Sequence, residues 1–276
     1  MKPASVAFVS DDDLMRQWQE LNYLSRPIYD TALEEYTVFQ EYFKNKDIQI
    51  HTFSYDDKVK IDSIYCRDAS IATDYGMIIC NMGKGGRINE PKSQLEMYKA
   101  NNVPILGAIK APGTLEGGDV AWLDERTLAV GHTYRTNLEG IAQLKALLEP
   151  KGIEIIVAEL PHYKGKSDVF HLMSILSPID IDLAVEYSPL MPIRFRNELI
   201  KRGFTLIKVP DLEFESMGCN VLAVDKRECL MVDGNPLTQG LLMEAGCNVT
   251  TYKGNDISVK GGGGPTCLTR PMLRSY

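Results

Sequence analysis

In Leu115-Glu116-Gly117-Gly118-Asp119-Val120-Ala121-Trp122-Leu123-Asp124-Glu125-Arg126-Thr127-Leu128-Ala129-Val130, two short apolar runs flank a polar turn. Val120 to Leu123 and Thr127 to Val130 read as adjacent strands joined by that turn. A helix over Thr136 to Leu148 and a strand over Ile153 to Ala158 follow. A parallel crossover needs one strand before its helix, and this unit has two.

The same order recurs on either side. Upstream come a strand from Ile61 through Tyr65, a second from Met77 to Cys80, a helix opened by Pro91 and a strand from Val103 to Ala108. Proline in a first helical turn forfeits no hydrogen bond, so Pro91 marks a start well. Downstream, Phe170 to Ile175, Asp182 to Val185, a helix after Pro192 and Phe204 to Lys208 form a third unit. Asn220 to Val224, Cys229 to Val232, a helix after Pro236 and Asn248 to Tyr252 form a fourth. The helix starts recur every 45 to 55 residues or so, a period expected of closed or stacked arrays. An open, doubly wound α/β sheet is the competing architecture. The doubled strand before each helix favours the ring.

At the N-terminus, Ser5 to Val9 reads as a strand and Asp11 to Arg26 as a mobile flap or surface helix. Asp30 to Phe43 reads as a helix with Leu33, Tyr36, Val38, Phe39 and Phe43 on one side, and Ile48 to Phe53 as a strand. A C-terminal strand after Cys267 would join these and close a fifth unit, giving one domain over 1-276.

Composition bounds the function. The chain has 276 residues, 44% hydrophobic and 24% charged, with a formal net charge of -7. No basic patch interleaved with aromatics appears, which argues against a nucleic-acid partner and leaves a small cationic or zwitterionic ligand. No apolar run approaches the roughly eighteen residues of a membrane span, and the N-terminus lacks a signal-peptide core. Cys66, Cys80, Cys219, Cys229, Cys247 and Cys267 show no CxxC spacing, so a reduced, cytoplasmic setting is expected, with no metal and no cofactor.

The run Gly261-Gly262-Gly263-Gly264 sacrifices regular structure for backbone freedom and close approach. Cys267 follows it. In a ring, residues at equivalent places in successive units converge on one axis. Asp68 at the end of a first strand, Glu116 just before one, His171 on one and Cys267 opening the last would therefore share a central cavity.

Several stretches resemble the motifs of the guanidino-modifying superfamily of arginine deiminases, amidinotransferases and dimethylarginine dimethylaminohydrolases. They are Leu115 to Val120, Phe170-His171-Leu172, Tyr134-Arg135-Thr136-Asn137 and Gly264-Pro265-Thr266-Cys267-Leu268. The similarity runs from about Asp62 to the C-terminus and is greatest to the dimethylarginine dimethylaminohydrolases, in chain length, in Arg-Thr-Asn and in Asp62 followed by Asp68. It implies a five-bladed α/β propeller of ββαβ modules. It also implies Cys267 as nucleophile, His171 as general acid and base with Glu116 as its partner, and Asp68 on the guanidinium nitrogens. Arg87 and Arg135 would hold the α-carboxylate and Asp62 the α-amino region.

The reaction so implied is hydrolysis of an N-substituted L-arginine, dimethylarginine or monomethylarginine, to L-citrulline and an amine through an S-alkylthiouronium. Arginine deiminase, hydroxyarginine hydrolase and amidinotransferase activities stay open, as does a non-catalytic arginine sensor, and a homo-oligomer is compatible with each. Met173, two residues after His171, departs from the His-Leu-Asp of arginine deiminases and disfavours plain deimination.

Overall fold

A computed structural model of the chain describes residues 1–273; the last three positions of the expected domain lie outside the described residues. The chain starts with three helices, α1 (Ala4–Ala7), α2 (Asp11–Gln17) and α3 (Tyr29–Lys44). It then runs through β1 (Ser70–Thr73), β2 (Gly76–Ile79), α4 (Glu90–Ala100) and β3 (Ile105–Ala108). Next come β4 (Val120–Trp122), β5 (Thr127–His132), α5 (Leu138–Leu148) and β6 (Glu154–Glu159). The third run is α6 (Leu172–Ile175), β7 (Leu176–Asp180), β8 (Leu183–Glu186), α7 (Ile193–Lys201) and β9 (Thr205–Lys208). The last is α8 (Asp211–Phe214), β10 (Leu222–Asp225), β11 (Glu228–Val232), α9 (Pro236–Glu244) and β12 (Asn248–Tyr252).

These strands form four three-stranded sheets, each taken in chain order. In each, the first strand pairs antiparallel with the second, as Val120 does with Val130. The third returns parallel to the second, as Glu154 does beside Thr127. The helix between second and third strands makes the crossover. The four expected units are thus present as ββαβ modules. Side chains also mark the helix starts: Asn137 accepts from the Gly140 amide at 2.8 Å ahead of α5, and Pro91 and Pro236 sit in the first turns of α4 and α9.

Alternation along the strands divides each sheet between two cores. Val120, Leu128 and Val130 pack with Ile71, Ile78, Ile141 and Leu144 of the first and second modules. Their neighbours Ala121 and Ala129 pack with Leu176, Ala184 and Phe195 of the third. Ile179 and Val185 then meet Val221, Met231 and Leu242 of the fourth. Leu222, Leu230 and Tyr252 face Phe8, Tyr36, Phe39 and Leu268, which links the fourth module to both chain ends. Phe53 packs on Met77, Ile79 and Tyr98 and links the N-terminal segment back to the first module. A period of two sends alternate residues to opposite faces, which pack on the neighbouring module or, at the first and fourth, on the chain ends.

Several expected boundaries are corrected. Residues 5–9 are not a strand. Ala4, Ala7 and Phe8 are buried at helical spacing, and a short apolar run cannot by periodicity be told from a helix. Residues 48–53 form no regular strand, although the Phe53 amide donates to the Met1 carbonyl at 2.9 Å. Ile61–Ile64 is a 3-10 turn, and the first strand of its module lies later, at β1. His171 precedes a helical turn rather than lying on a strand, and Cys267 lies in a turn. The expected flap contains α2, which Ser10 caps by accepting from the Asp13 amide. Among the described residues no helix is long and apolar enough to cross a membrane.

Candidate active site

The polar residues of interest sit where the chain enters the first strand of each module. Asp68 lies two positions ahead of β1 and Asn220 two ahead of β10. Glu116 precedes the tight turn Gly117–Asp119 that runs into β4, and His171 precedes α6, which runs into β7. The C-terminal turn carrying Cys267 is laid against this ring by the Arg67 amide, which donates to the Cys267 carbonyl at 3.1 Å. The Arg67 Nε also donates to the Thr266 carbonyl at 2.6 Å.

Cys267, His171, Asp68, Asp62, Arg87 and Arg135 all line one narrow recess of about 20 Å³. Glu116 stands behind His171, fully buried, with its Oε2 2.8 Å from His171 Nε2 and its Oε1 accepting from the Lys84 amide at 2.9 Å. Arg135 Nη1 lies 3.5 Å from the same Oε2. The recess shares Cys267, His171, Val169, Gly261 and Gly262 with a wider cavity of about 320 Å³ walled in part by Phe170, Met173, Phe214 and Met217. Asn22 and Leu24, from the segment after α2, also line that cavity.

Gly118 explains how an acid and an imidazole come so close. A Cβ there would fall 2.5 Å from His171 Nδ1 and 2.7 Å from Asp68 Oδ1, so only glycine lets the two flank this backbone. The glycine run has a different cause. A Cβ on Gly263 would meet the Tyr65 ring at 2.5 Å, one on Gly264 would meet Asn220 Oδ1 at 2.5 Å, and one on Gly261 would overlap the Tyr65 hydroxyl. Gly262 adopts φ +73°. The run passes over protein side chains while Gly261, Gly262 and Gly263 face the recess.

The electrostatics follow from burial and neighbours. Burial alone would lower the His171 pKa, but Asp119, Asp68 and Glu116 outweigh it and raise it to about 9. Burial would raise Glu116, but His171, Arg135 and Arg87 hold it well below the usual carboxylate range. Burial and then the charge of Asp68 push the Cys267 thiol above its ordinary range, against the hydrogen bonds of Thr266 and Asn220. At neutral pH the site therefore holds an imidazolium, a thiol and ionised Glu116.

The residues expected to hold an α-carboxylate differ in freedom. Arg87 is buried and its guanidinium is fully engaged: Nε and Nη2 bind Glu90 at 2.8 Å each, Nη2 also binds the Tyr65 carbonyl at 2.8 Å, and Nη1 binds Asp68. It fixes Asp68 from behind. Arg135 is held more loosely, at 3.5 Å by Glu116 and at 3.3 Å by the Asp168 carbonyl. Asp62, expected near an α-amino group, is paired with Lys84 at 2.6 Å.

Asp68 Oδ1 is buried and, among the described residues, has no hydrogen-bond partner. Asp68, Glu116 and His171 offer ligand atoms within 4.8 Å of one another. Arg87, Arg135 and the Glu116–His171 bond already engage those groups, which leaves one free acceptor. That suits an N–H donor better than an ion that needs several ligands.

Two residues escaped the sequence reading. Asn220 Oδ1 accepts from the Thr266 amide at 3.1 Å and the Thr266 hydroxyl at 2.9 Å, and its Nδ2 lies 3.6 Å from Cys267 Sγ. Its register, two positions before β10 as Asp68 is before β1, was the available signal. Asp119 accepts from the Leu172 amide at 2.9 Å and the Thr133 hydroxyl at 2.7 Å, and so anchors the turn that presents His171. Burial pushes Asp119 up to about 6.

The sequence model of the family described as N,N dimethylarginine dimethylhydrolase, eukaryotic, matches residues 3–274. The N(G),N(G)-dimethylarginine dimethylaminohydrolase of Pseudomonas aeruginosa is 26% identical over 249 residues, covering 90% of this chain and 91% of its own. An arginine deiminase of Listeria welshimeri is 27% identical over 210 residues, 64% of this chain and 51% of that protein. Among solved structures, the Pseudomonas aeruginosa enzyme in complex with citrulline superposes with a TM-score of 0.74 at 25% identity, covering 88% of this chain and 89% of that one. The N-terminal domain of ArgZ, a cyanobacterial arginine dihydrolase, superposes with a TM-score of 0.78 at 18% identity, covering 94% and 93%, a likeness of fold. Within the guanidino-modifying superfamily, the chain belongs to the N,N-dimethylarginine dimethylhydrolase family, whose members are hydrolases acting on the C–N bonds of amidines.

Proposed function

We propose that this chain hydrolyses an N-substituted L-arginine, dimethylarginine or monomethylarginine, to L-citrulline and the methylated amine. One observation carries the reading: Asp68, which lines the recess with Cys267 and His171, has a buried Oδ1 without a donor among the described residues. A guanidinium supplies the missing N–H and a compensating positive charge. The wider cavity beside Cys267, with Phe170, Met173, Phe214 and Met217 in its wall, gives N-methyl groups an apolar surface and favours a substituted guanidine over plain arginine.

The steps follow from the charges. With the thiol pushed up by burial and Asp68, the arriving cation offsets Asp68 and favours the thiolate, the thiol proton passing to solvent water. Sγ adds to the guanidinium carbon to form a tetrahedral adduct. The His171 imidazolium then gives its proton to the methylated nitrogen, the C–N bond breaks and an S-alkylthiouronium remains. His171, now neutral, takes a proton from water as its oxygen adds to the same carbon. The C–S bond breaks and the adduct's hydroxyl proton passes to solvent water, which releases the neutral ureido product and the thiolate, with His171 already reprotonated. Glu116 orients the imidazole throughout.

The linkage of the fourth module to both chain ends, and of Phe53 to the first, supports a five-bladed propeller in one domain whose fifth blade has no regular sheet among the described residues. The six free cysteines, five of them buried, fit a cytoplasmic setting. Incubation with dimethylarginine tests the reading: it predicts citrulline and dimethylamine in equal amounts. Ornithine-type acceptors becoming amidinated would identify a transferase instead, and ammonia released from arginine at a comparable rate would identify a deiminase.

A further inference from the structure

The α-amino end of the recess is already occupied by a side chain of the protein. Lys84 Nζ lies 2.6 Å from Asp62 Oδ2 and donates to the Leu21 carbonyl at 2.7 Å, and both Lys84 and Asp62 line the recess. The pair is desolvated, with side-chain exposures of 11% and 4%. Lys84 is fixed at its backbone too, because its amide donates to Glu116. A carboxylate and a carbonyl converging on a buried ammonium form a complete ammonium site, and here the chain fills it.

We infer that Lys84 is a specificity-determining residue that competes with the substrate's α-ammonium for Asp62 and the Leu21 carbonyl. The inference rests on the reading of the site as one for an arginine-type guanidine, and it names the residue that sets the cost of binding that substrate's α-ammonium. A substrate carrying a free α-ammonium reaches Asp62 only by displacing Lys84. One that bears a carboxylate without that ammonium leaves the ion pair intact and meets the loosely held Arg135. Arg87 is committed to Glu90 and Asp68 and Lys84 to Asp62, which leaves Arg135 for the carboxylate. Free amino acids therefore bind at the cost of displacing Lys84, a cost that guanidino or ureido acids without the α-ammonium escape.

Calorimetry on the full chain carrying Cys267→Ser, which binds without turning over, tests this. The probes are L-citrulline and its deamino counterpart, 5-ureidopentanoic acid. Adding Lys84→Met frees Asp62, and the ratio of the two affinities moves toward the amino compound by about tenfold or more. Lys84→Arg, which keeps the charge, holds the ratio near its starting value. General damage to the site weakens both probes together and leaves the ratio unmoved. A ratio that Lys84→Met leaves unchanged, or moves toward the deamino compound, overturns the inference, as does failure of both probes to bind with and without Lys84. If both probes bind and the ratio moves as stated, but the chain with Cys267 intact releases no amine from methylated arginines, the proposed reaction falls and the role of Lys84 stands.

Discussion

Asn220 holds Cys267 from the side: its carboxamide oxygen takes both the amide and the hydroxyl of Thr266, which turns its nitrogen to within 3.6 Å of the Cys267 sulfur. A neutral donor beside the sulfur stabilises thiolate without adding a charge that would repel a cation.

Asn220→Leu, close in volume, removes that donor and leaves the Thr266 amide unpaired. Turnover is expected to fall by about ten- to a hundredfold, roughly the 1.5–3 kcal/mol of a hydrogen bond to a charged group. The pH at which Cys267 becomes half-alkylated by iodoacetamide is expected to rise. An alkylation profile identical to that of the unaltered chain would remove Asn220 from the site.

Gly118→Ala is the sharpest steric test. The added methyl would stand 2.5 Å from His171 Nδ1 and 2.7 Å from Asp68 Oδ1, so one of them must move. Activity should drop by about a hundredfold or more, because displacement of a reacting group by 1 Å is that costly. Gly262→Ala meets nothing within 4 Å and suffers only its positive φ, so stability falls slightly and turnover changes less.

Asp119→Asn separates positioning from chemistry. Asp119 touches the turn before β7 and not the recess, and its charge is the largest of those that raise His171. With the charge gone, the descending limb of activity, set in the unaltered chain by loss of the His171 proton near pH 9, should move to lower pH. A lower rate with the limb unmoved would mean that Asp119 only holds the fold.

His171 also ties stability to pH. Its folded pKa, about 9, lies above the unfolded value of 6.5, so its contribution is full below about pH 6.5 and is lost as pH rises through about 9. The melting-temperature difference between the chain and its His171→Gln variant should therefore shrink from pH 6.5 to 9.5. A constant difference would contradict the imidazolium assignment.

Sequence made the modules legible because each doubles a strand before a proline- or asparagine-marked helix, a pattern that local chemistry imposes. It misplaced the residues at their entrances. His171 looked like a strand residue because Phe170 and Leu172 flank it, yet Asp119, 53 positions before Leu172, accepts the Leu172 amide and bends this segment into a turn. The N-terminal run Val6 to Val9 is apolar throughout and so reads equally as strand or helix, and packing of Ala4, Ala7 and Phe8 with α3 and the C-terminal segment selects helix. Cys267, His171, Glu116 and Asp68 could be picked out by residue type and repeat position. The commitment of Arg87 to Glu90 and of Asp62 to Lys84 could not, since both pairings depend on how a glycine-rich turn places its side chains.

Acid-quenched mass spectrometry of the Cys267 peptide during turnover of dimethylarginine tests the central claim most directly. The account predicts a transient adduct on Cys267 that retains the substrate's guanidine carbon and has lost dimethylamine, absent in Cys267→Ser and accumulating in His171→Gly. Citrulline formed with no adduct on Cys267, or with the adduct on another residue, would contradict it.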